Sequence, residues 1–390
     1  MHAIGPCTRR RFLRSAALGA GALLLPRPLL AFASRAPAGA AIRVGFVGGS
    51  PSDARSASAL AGVELGVEEA NRTAALFGSS VRLERSDSAG SAVDAARALA
   101  AAGASVVVSA LDDAGTAAVV AGTVGLGVPV LNVTAPADRL RGPGCAGHLF
   151  HVAPSRAMLA DAVALWLVAT YPAKAVALVA TDAESVAVAD RVEARIARRT
   201  GGVVRMPLAV AQRSYLPGLH IPEGAVVLIG AGAMGFASGW PRRDVPMVDL
   251  SGVDPAPSGP GAPGAPGAPG AGMGLVLRPV AWHASLDRFG ADQLNRRYRL
   301  KAGRAMDGAA WAGWAAVKIA TEAAMRAASA AGGTLAEQLT ARRSAFDAQK
   351  GSPLSFRPWD RQLRQPIYIA ATDAARVAGE VPGGRGDGGD

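Results

Sequence analysis

Carboxylates and hydroxyls recur where apolar, strand-like runs of this sequence end. They are Ser50, Asp87, Ser109, Asp112, Asp113, Thr134, Asp182 and Glu184. In an open sheet of parallel strands, ligands bind outside the carboxyl ends of the strands, where such side chains converge. The two loops that follow the runs 106–108 and 128–133 are therefore the first candidate for a ligand-binding site.

The acids in this set indicate one kind of ligand. Calcium, or a trivalent ion of similar size, binds carboxylate oxygens that several loops bring together. On that basis we expect a cationic or metal-containing ligand, with no individual metal ligands assigned. Aspartate at the end of a strand also caps helices and turns, and this second interpretation stays open.

A second chemistry is suggested by residues 230–235, which read GAGAMG after the apolar run 225–229. This segment fits the G-x-G-x-x-G pattern of dinucleotide binding, and Asp249 ends the next run at a suitable distance for a ribose contact. Only nine residues separate Gly235 from Val245, and Pro241 is among them. A helix that presents its N-terminus to a pyrophosphate does not fit there.

Other catalytic patterns are not present in the sequence. It has no G-x-S-x-G motif, and no serine has an evident histidine partner by spacing. His148 and His151 are three residues apart in a strand-like run, which would point them to opposite faces. We therefore expect no catalytic residues, no cofactor and no enzymatic activity.

The elements that position these residues alternate along the chain. Strand-like runs at 42–47, 81–83, 106–108 and 128–133 alternate with helical segments at 57–75, 91–102 and 115–124. The pattern restarts after residue 152, with further strands at 175–179, 203–210 and 225–229. Such alternation predicts an α/β fold made of two doubly wound parallel sheets.

The remaining segments differ in composition. Residues 251–272 contain tandem Gly-Ala-Pro units and are predicted to form a flexible loop. Helices are expected at 286–300, 309–328 and 335–346, followed by a hairpin between 354–356 and 366–370. The glycine-rich residues 378–390 are expected to be a disordered tail.

The N-terminus has the pattern of an export signal. Thr8–Arg14 resembles the twin-arginine consensus, an apolar run follows, and Ala31–Ala33 suits signal peptidase, so residues 1–33 are predicted to be removed on export to the periplasm. Five of the 41 basic residues and no acids lie there, so the net charge of +11 becomes +6. The remaining arginines are scattered, so we expect no nucleic-acid partner. Neither Cys7 nor Cys145 follows a lipobox-like stretch, so we expect no membrane anchor.

Four segments carry a family resemblance: GVELGVEEAN (62–71), VPVLNVTAPADRLR (128–141), FHVAPSRAMLADAVALWLV (150–168) and DGAAWAGWAAVKIATEAAMRA (307–327). They resemble the type I periplasmic solute-binding proteins of the branched-chain amino acid class. The segment LSFRPWDRQLRQPIYIA (354–370) resembles a subgroup whose genes accompany pyrroloquinoline-quinone-dependent alcohol dehydrogenases.

The resemblance implies two lobes joined by three crossovers, with a ligand held between them. Lobe one would comprise 42–152 and 283–328, and lobe two 153–282 and 329–372. Thr134 and Ala135 match the family's contacts to a ligand carboxylate, and Trp282 would line the cleft. The loop SALDDAG (109–115) and residues 182–185 depart from the pattern of the amino acid binders, which argues against an amino acid ligand.

The predicted function follows from the resemblance. The chain would be a monomeric, periplasmic substrate-binding component of an ABC transporter that delivers a small solute to the permease. A link to a pyrroloquinoline-quinone-dependent alcohol dehydrogenase system is part of this prediction. The alternatives are an exported NAD(P)-dependent oxidoreductase that uses Gly230–Gly235, and an accessory or sensor protein without a transport role.

Overall fold

The computed structural model describes residues 41–50, 52–86, 91–142, 145–170, 176–179, 183–196, 203–206, 226–229, 247–249, 276–371 and 377–381. The export signal predicted over residues 1–33 and the loop predicted over 251–272 lie outside them. The chain divides into two compact units. The first contains the described residues up to Ala153, with Ala309–Ala348 and Pro353–Arg364. The second contains Pro154–Gly308, Gln349–Ser352 and the chain from Gln365 onward.

The first unit is built on a five-stranded parallel sheet, with the strand order β2-β1-β3-β4-β5. Its strands are β1 (Ala41–Gly48), β2 (Ser80–Arg85), β3 (Val106–Ala110), β4 (Val130–Asn132) and β5 (Leu149–His151). They alternate with helices α1 (Ala54–Ala74), α2 (Ala92–Ala101) and α3 (Asp113–Gly122). The β-α alternation predicted from the sequence is therefore confirmed in this unit.

Helices cover both faces of this sheet. A Cβ atom added to Gly45 of β1 would lie 3.1 Å from Leu99 of α2, whereas one added to Gly48 would lie 2.5 Å from Ser56 of α1. Because successive residues of a strand point to opposite faces, α1 and α2 lie on opposite sides of the sheet. The central strands β3 and β4 are consequently buried on both faces, which explains their mostly apolar sequences, whereas the edge strand β2 (SVRLER) is only partly buried.

A further helix, α7 (Gly308–Ala327), packs closely on α1. A Cβ atom at Gly62 would lie 1.9 Å from the carbonyl oxygen of Ala310, and one at Gly313 would lie 2.2 Å from the carbonyl oxygen of Ala59. The glycines therefore let the two backbones approach to a distance that any side chain would prevent. Trp314 adds a hydrogen bond from Nε1 to Glu69 Oε2 (2.9 Å).

The second unit contains a seven-stranded sheet with the order β14-β13-β10-β9-β8-β6-β7. Its elements are β6 (Val176–Val179), β7 (Val203–Met206), β8 (Val226–Ile229), β9 (Met247–Asp249), β10 (Val276–Val280), β13 (Ile367–Ala371) and β14 (Val377–Val381), with helices α4 (Arg156–Thr170), α5 (Ala183–Ile196) and α6 (Ala291–Ala302). Strands β6 to β10 are parallel, whereas β13 and β14 pair antiparallel. This sheet is mixed and differs in that respect from the predicted parallel one.

The division into units differs from the predicted lobes in two places. Residues 283–308, assigned to lobe one, belong to the second unit. Within that unit, Asn295 of α6 bonds to Trp282 and to the carbonyls of Ala284 and Leu286. Most of 329–364, assigned to lobe two, belongs to the first unit. That part contains α8 (Gly332–Thr340) and the short paired strands β11 (Ser355–Phe356) and β12 (Leu363–Arg364).

The C-terminal prediction needs two corrections. Ser355–Phe356 pairs with Leu363–Arg364 and not with 366–370, since Ile367–Ala371 adds to the large sheet beside β10. The tail expected from residue 378 begins within strand β14, which pairs with β13. The chain passes between the units at five positions, after Ala153, Gly308, Ala348, Ser352 and Arg364. Three crossovers were predicted, and the other two passages lead into and out of the short segment Gln349–Ser352. In the part of the chain that the structure describes, no helix is both long and apolar enough to span a bilayer.

Candidate functional site

The candidate site lies at the carboxyl ends of β3, β4 and β5 in the first unit. The strand register places Ser109 beside Asn132 and Asn132 beside His151. All three side chains are fully buried, although each is polar. Buried polar groups need hydrogen-bond partners, so the partners of this row determine the structure of the loops that follow.

Asn132 organises the loop after β4. Its Oδ1 accepts hydrogen bonds from the backbone N–H groups of Thr134 (3.1 Å) and Ala135 (2.8 Å). Its Nδ2 donates to the carbonyl of Ala135 (2.7 Å) and to Nδ1 of His151 (3.0 Å). The Thr134 hydroxyl donates to the carbonyl of Leu111 (2.6 Å), which joins this loop to the one after β3. The groups of Thr134 and Ala135 predicted to contact a ligand carboxylate therefore bond within the protein.

The two neighbouring acids have local roles. Asp112 is the N-cap of α3, and its Oδ1 accepts from the N–H of Gly115 (2.7 Å). Asp113 Oδ1 accepts from the N–H of Ala137 (2.9 Å) and so connects α3 to the loop after β4. Capping by an aspartate satisfies backbone donors that the first turn of a helix leaves unpaired. This is the alternative that the sequence left open for Asp112.

The other predicted residues of this unit have short-range partners. Ser109 Oγ lies 3.2 Å from Thr116 Oγ1 of α3 in the buried interior. Ser50 is exposed after β1, and its Oγ lies 2.9 Å from Ser52 Oγ. Asp87 lies outside the described residues. Within the described ranges, no group of three or more histidine, cysteine, aspartate or glutamate side chains is arranged to hold a metal ion.

Arg141, which sequence reasoning did not single out as a site residue, supports the same loop from inside the unit. Its guanidinium is 7% exposed and donates to the carbonyls of Ala135 (3.2 Å), Ala137 (2.9 Å) and Ala153 (2.9 Å). Its Nε donates to Oε1 of Gln362 (2.6 Å), more than two hundred residues away in the chain. A pattern of apolar periodicity cannot reveal such a residue, because its role depends on bonds to backbone carbonyls 4 to 12 residues away and to a glutamine far along the chain.

His151 is uncharged in this environment. Burial is the main cause that lowers its pKa well below the ordinary value, and the positive charge of Arg141 lowers it further; the carbonyl of Leu140 acts in the opposite direction and Arg361 adds a smaller lowering. Since Nδ1 accepts the hydrogen bond from Asn132, the neutral ring carries its proton on Nε2. His148 forms a hydrogen bond through Nε2 with Thr123 Oγ1 (3.1 Å), so the two histidines have different partners.

Fewer of the predicted residues can be described in the second unit. Trp282 is 1% exposed, and its Nε1 donates to Oδ1 of Asn295 (2.8 Å), so it is a core side chain of that unit. Glu184 is the second residue of α5. Asp182 and the motif Gly230–Gly235 lie outside the described residues.

Asp249 is described, and it has a structural partner. This residue, predicted as the possible ribose contact, is 2% exposed at the end of β9. Its Oδ2 forms an ion pair with Nε of Arg278 in the neighbouring strand β10 (2.9 Å). A buried carboxylate requires such a partner because desolvation of a charge is costly. The ion pair accounts for Asp249 without a nucleotide.

Comparisons with known proteins agree on the fold. Residues 41–216 match the family described as periplasmic binding protein. A branched-chain amino acid ABC transporter periplasmic ligand-binding protein from Burkholderia xenovorans superposes with a TM-score of 0.67 at 15% identity, covering 88% of this chain and 96% of that one. A leucine-, isoleucine-, valine-, threonine- and alanine-binding protein from Brucella ovis gives 0.67 at 16% identity, covering 85% and 89%.

A third structure has a different kind of ligand. The solute-binding protein of an ABC transporter from Rhodopseudomonas palustris, in complex with 3,4-dihydroxybenzoic acid, gives a TM-score of 0.61 at 15% identity, covering 84% and 92%. No curated protein matches the sequence. The fold is that of the type I periplasmic binding proteins, as the sequence predicted.

Proposed function

We propose that the chain is the periplasmic substrate-binding component of an ABC transporter. The observation that carries this proposal is the family match over residues 41–216, together with a fold shared with solute-binding proteins over more than four fifths of the chain. The chain would bind a small solute with the loops at the carboxyl ends of its parallel strands and deliver it to a permease.

The first unit supports this proposal by its chemistry. The loops after β3 and β4 are connected by the bonds from Thr134 to Leu111 and from Ala137 to Asp113, so they form one preorganised surface. A binding loop whose conformation is fixed in advance loses little entropy when a ligand arrives. Leucine, isoleucine and 3,4-dihydroxybenzoate occupy proteins of this fold, and small organic acids of these two kinds are the first solutes to test.

Calorimetric titration of the purified chain tests the proposal. The panel should contain leucine, isoleucine and 3,4-dihydroxybenzoate, with calcium and a lanthanide for the predicted metal-containing ligand and NAD(P) for the alternative of an oxidoreductase. We expect saturable binding of at least one organic solute, with the chain becoming more compact in solution scattering. Heat with calcium or a lanthanide alone would favour the cation hypothesis, whereas NAD(P) binding would favour the oxidoreductase and contradict the proposal.

Two finer points extend the proposal. Export by the twin-arginine route rests on the sequence Thr8–Arg14, and fusion of residues 1–40 to a reporter that must fold before export tests it. The link to a pyrroloquinoline-quinone-dependent alcohol dehydrogenase rests on the resemblance of Leu354–Ala370. If the link holds, a strain lacking this gene should lose periplasmic quinone-dependent alcohol oxidation, and unaffected oxidation would refute it. A monomer is expected in either case.

A further inference from the structure

The last passage of the chain between the two units is short and is flanked by buried glutamines. The chain leaves the first unit after Arg364 and enters the second at Gln365. Gln362 and Gln365 are each 1% exposed. We call residues Gln362–Pro366 the last link. It consists of Gln362, strand β12 and the two residues that join β12 to β13 of the large sheet.

A buried arginine holds the first end of the last link. Within the first unit, Arg141 Nε donates to Gln362 Oε1 (2.6 Å), and Arg141 Nη2 donates to the carbonyl of Ala153 (2.9 Å). Gln362 Nε2 also donates to Ala153 (3.1 Å) and to the carbonyl of His151 (3.2 Å). Ala153 is the residue after which the chain first leaves this unit. Arg141 therefore bonds to Ala153 and to Gln362, which lie at or near two positions where the chain leaves the first unit.

A buried lysine holds the other end. Within the second unit, Lys350 is 1% exposed, and its Nζ donates to Gln365 Oε1 (2.8 Å), to the carbonyl of Pro366 (2.9 Å) and to the carbonyl of Ala281. The same ammonium lies 5.2 Å from the ring centre of Tyr368, within the range of a cation–π interaction. Lys350 itself belongs to Gln349–Ser352, another segment where the chain passes between the units.

The backbone of the last link is restricted as well. Pro366 has a fixed φ, and a residue that precedes proline is confined to extended conformations, so Gln365 has little freedom. Leu363 and Arg364 are paired in β12 with β11. Hydrogen bonds from charged donors are the stronger ones in proteins, and here they hold both ends of a segment of restricted backbone.

We propose that Arg141 and Lys350 are positioning residues for ligand-linked movement of the two units. Each holds one end of the last link from inside its own unit, so the backbone of the link is stiff. The importance of this stiffness for solute binding rests on the proposed function. The anchoring itself does not, and it is measured without a ligand.

Hydrogen–deuterium exchange on the full chain tests this proposal. The variants are Arg141→Met and Lys350→Met, alone and combined. Lys318→Met and Arg191→Met are controls, one in each unit, since Lys318 pairs with Glu322 of α7 and Arg191 pairs with Asp161 of α4. Loss of an anchor should raise exchange in peptides covering residues 361–371 about tenfold, because one charged hydrogen bond contributes that much protection.

The double variant shows whether Arg141 and Lys350 anchor the same segment or stabilise two unrelated parts of the structure. Distant independent substitutions multiply their effects on an exchange rate, whereas residues that act on one element do not. We expect the Arg141→Met and Lys350→Met effects at 361–371 to combine to clearly less than their product, because release of one end already frees the link. Exchange in β1 and α4 should change less than threefold, and the controls should leave 361–371 unchanged.

Three results would overturn the proposal: a product of the two effects in the double variant, an equal rise of exchange throughout a unit, or no rise at the link. If a methionine variant does not fold, Gln362→Met and Gln365→Met remove the anchored side chains and leave the cations in place, with the same expected pattern. Arg141→Lys and Lys350→Arg should restore part of the protection. A failure to find a solute would leave these outcomes unaffected.

Discussion

Replacement of Asn132 by alanine is the sharpest test of how the loop after β4 is held. The substitution removes the acceptor of the backbone N–H groups of Thr134 and Ala135, both in the buried interior. It also removes a donor to His151 Nδ1. A buried donor left without a partner costs about 1–3 kcal/mol, so two of them amount to about 3 kcal/mol of local stability.

The effect is best measured residue by residue. A chain of two units need not unfold in a single step, so a global midpoint would mix both units. Native-state hydrogen exchange resolves the loop: a loss of about 3 kcal/mol corresponds to roughly 100-fold faster exchange at Thr134 and Ala135. Asn71→Ala is the matched control, because Asn71 also bonds a backbone N–H and two carbonyls, at Val81 and Val67.

The control should weaken the first unit at β2 and leave the loop after β4 protected. The reasoning is refuted if the Asn132→Ala protein is folded and its Thr134 and Ala135 amides exchange within threefold of the unmodified chain. That result would mean that other groups hold the loop and that Asn132 only fills space between β4 and β5.

Two further predictions concern packing and pH. Gly62→Ala should destabilise the first unit by about 3 kcal/mol or more, measured by native-state hydrogen exchange of the α1 amides, because the new Cβ would overlap the carbonyl of Ala310. Gly333→Ala, with open space around it, should stabilise α8 by about 0.5–1 kcal/mol in the same measurement, and equal effects of the two substitutions would contradict this packing. Since burial and Arg141 lower the pKa of His151 in the folded chain, the unfolded chain binds its proton first, and stability should fall below about pH 6.5 by up to about 1.4 kcal/mol per pH unit. Native-state hydrogen exchange of the β1 and β3 amides at pH 7.5 and 5.5, corrected for the intrinsic pH dependence of exchange, measures the slope. His151→Asn should reduce the slope, and an unchanged slope in that variant would show that other groups cause it.

Much of the fold was accessible from the sequence because it depends on local patterns. The central strands of the first sheet are apolar runs buried on both faces, and the helices are capped by residues such as Asp53, Ser91 and Asp112. Residues 283–308 fall in the other unit from the one predicted, because the division depends on tertiary contacts that no periodicity reveals. The pairing of β13 failed for a similar reason: its partner β10 lies almost ninety residues earlier.

The position of the candidate loops in the fold could be predicted from the sequence, whereas the hydrogen bonds within them could not. The carboxyl ends of β3 and β4 could be located, since strands of a parallel sheet end at one edge. The residues that hold these loops, Asn132, Arg141 and Gln362, were not predicted as site residues, because their roles arise from burial and from bonds to backbone groups, and for Arg141 and Gln362 from a contact distant in sequence. Whether Ser50, Asp112, Asp113, Thr134 or Trp282 contacts a solute stays a prediction.

A native mass spectrum of the chain isolated from the cells that produce it tests the central claim most directly. A substrate-binding component should retain one small organic molecule per chain, which dialysis under denaturing conditions removes and which the refolded chain binds again. We expect that mass difference, with the bound form more compact in scattering. A co-purifying dinucleotide, or a chain that carries nothing and responds to no organic solute, would contradict the proposed function.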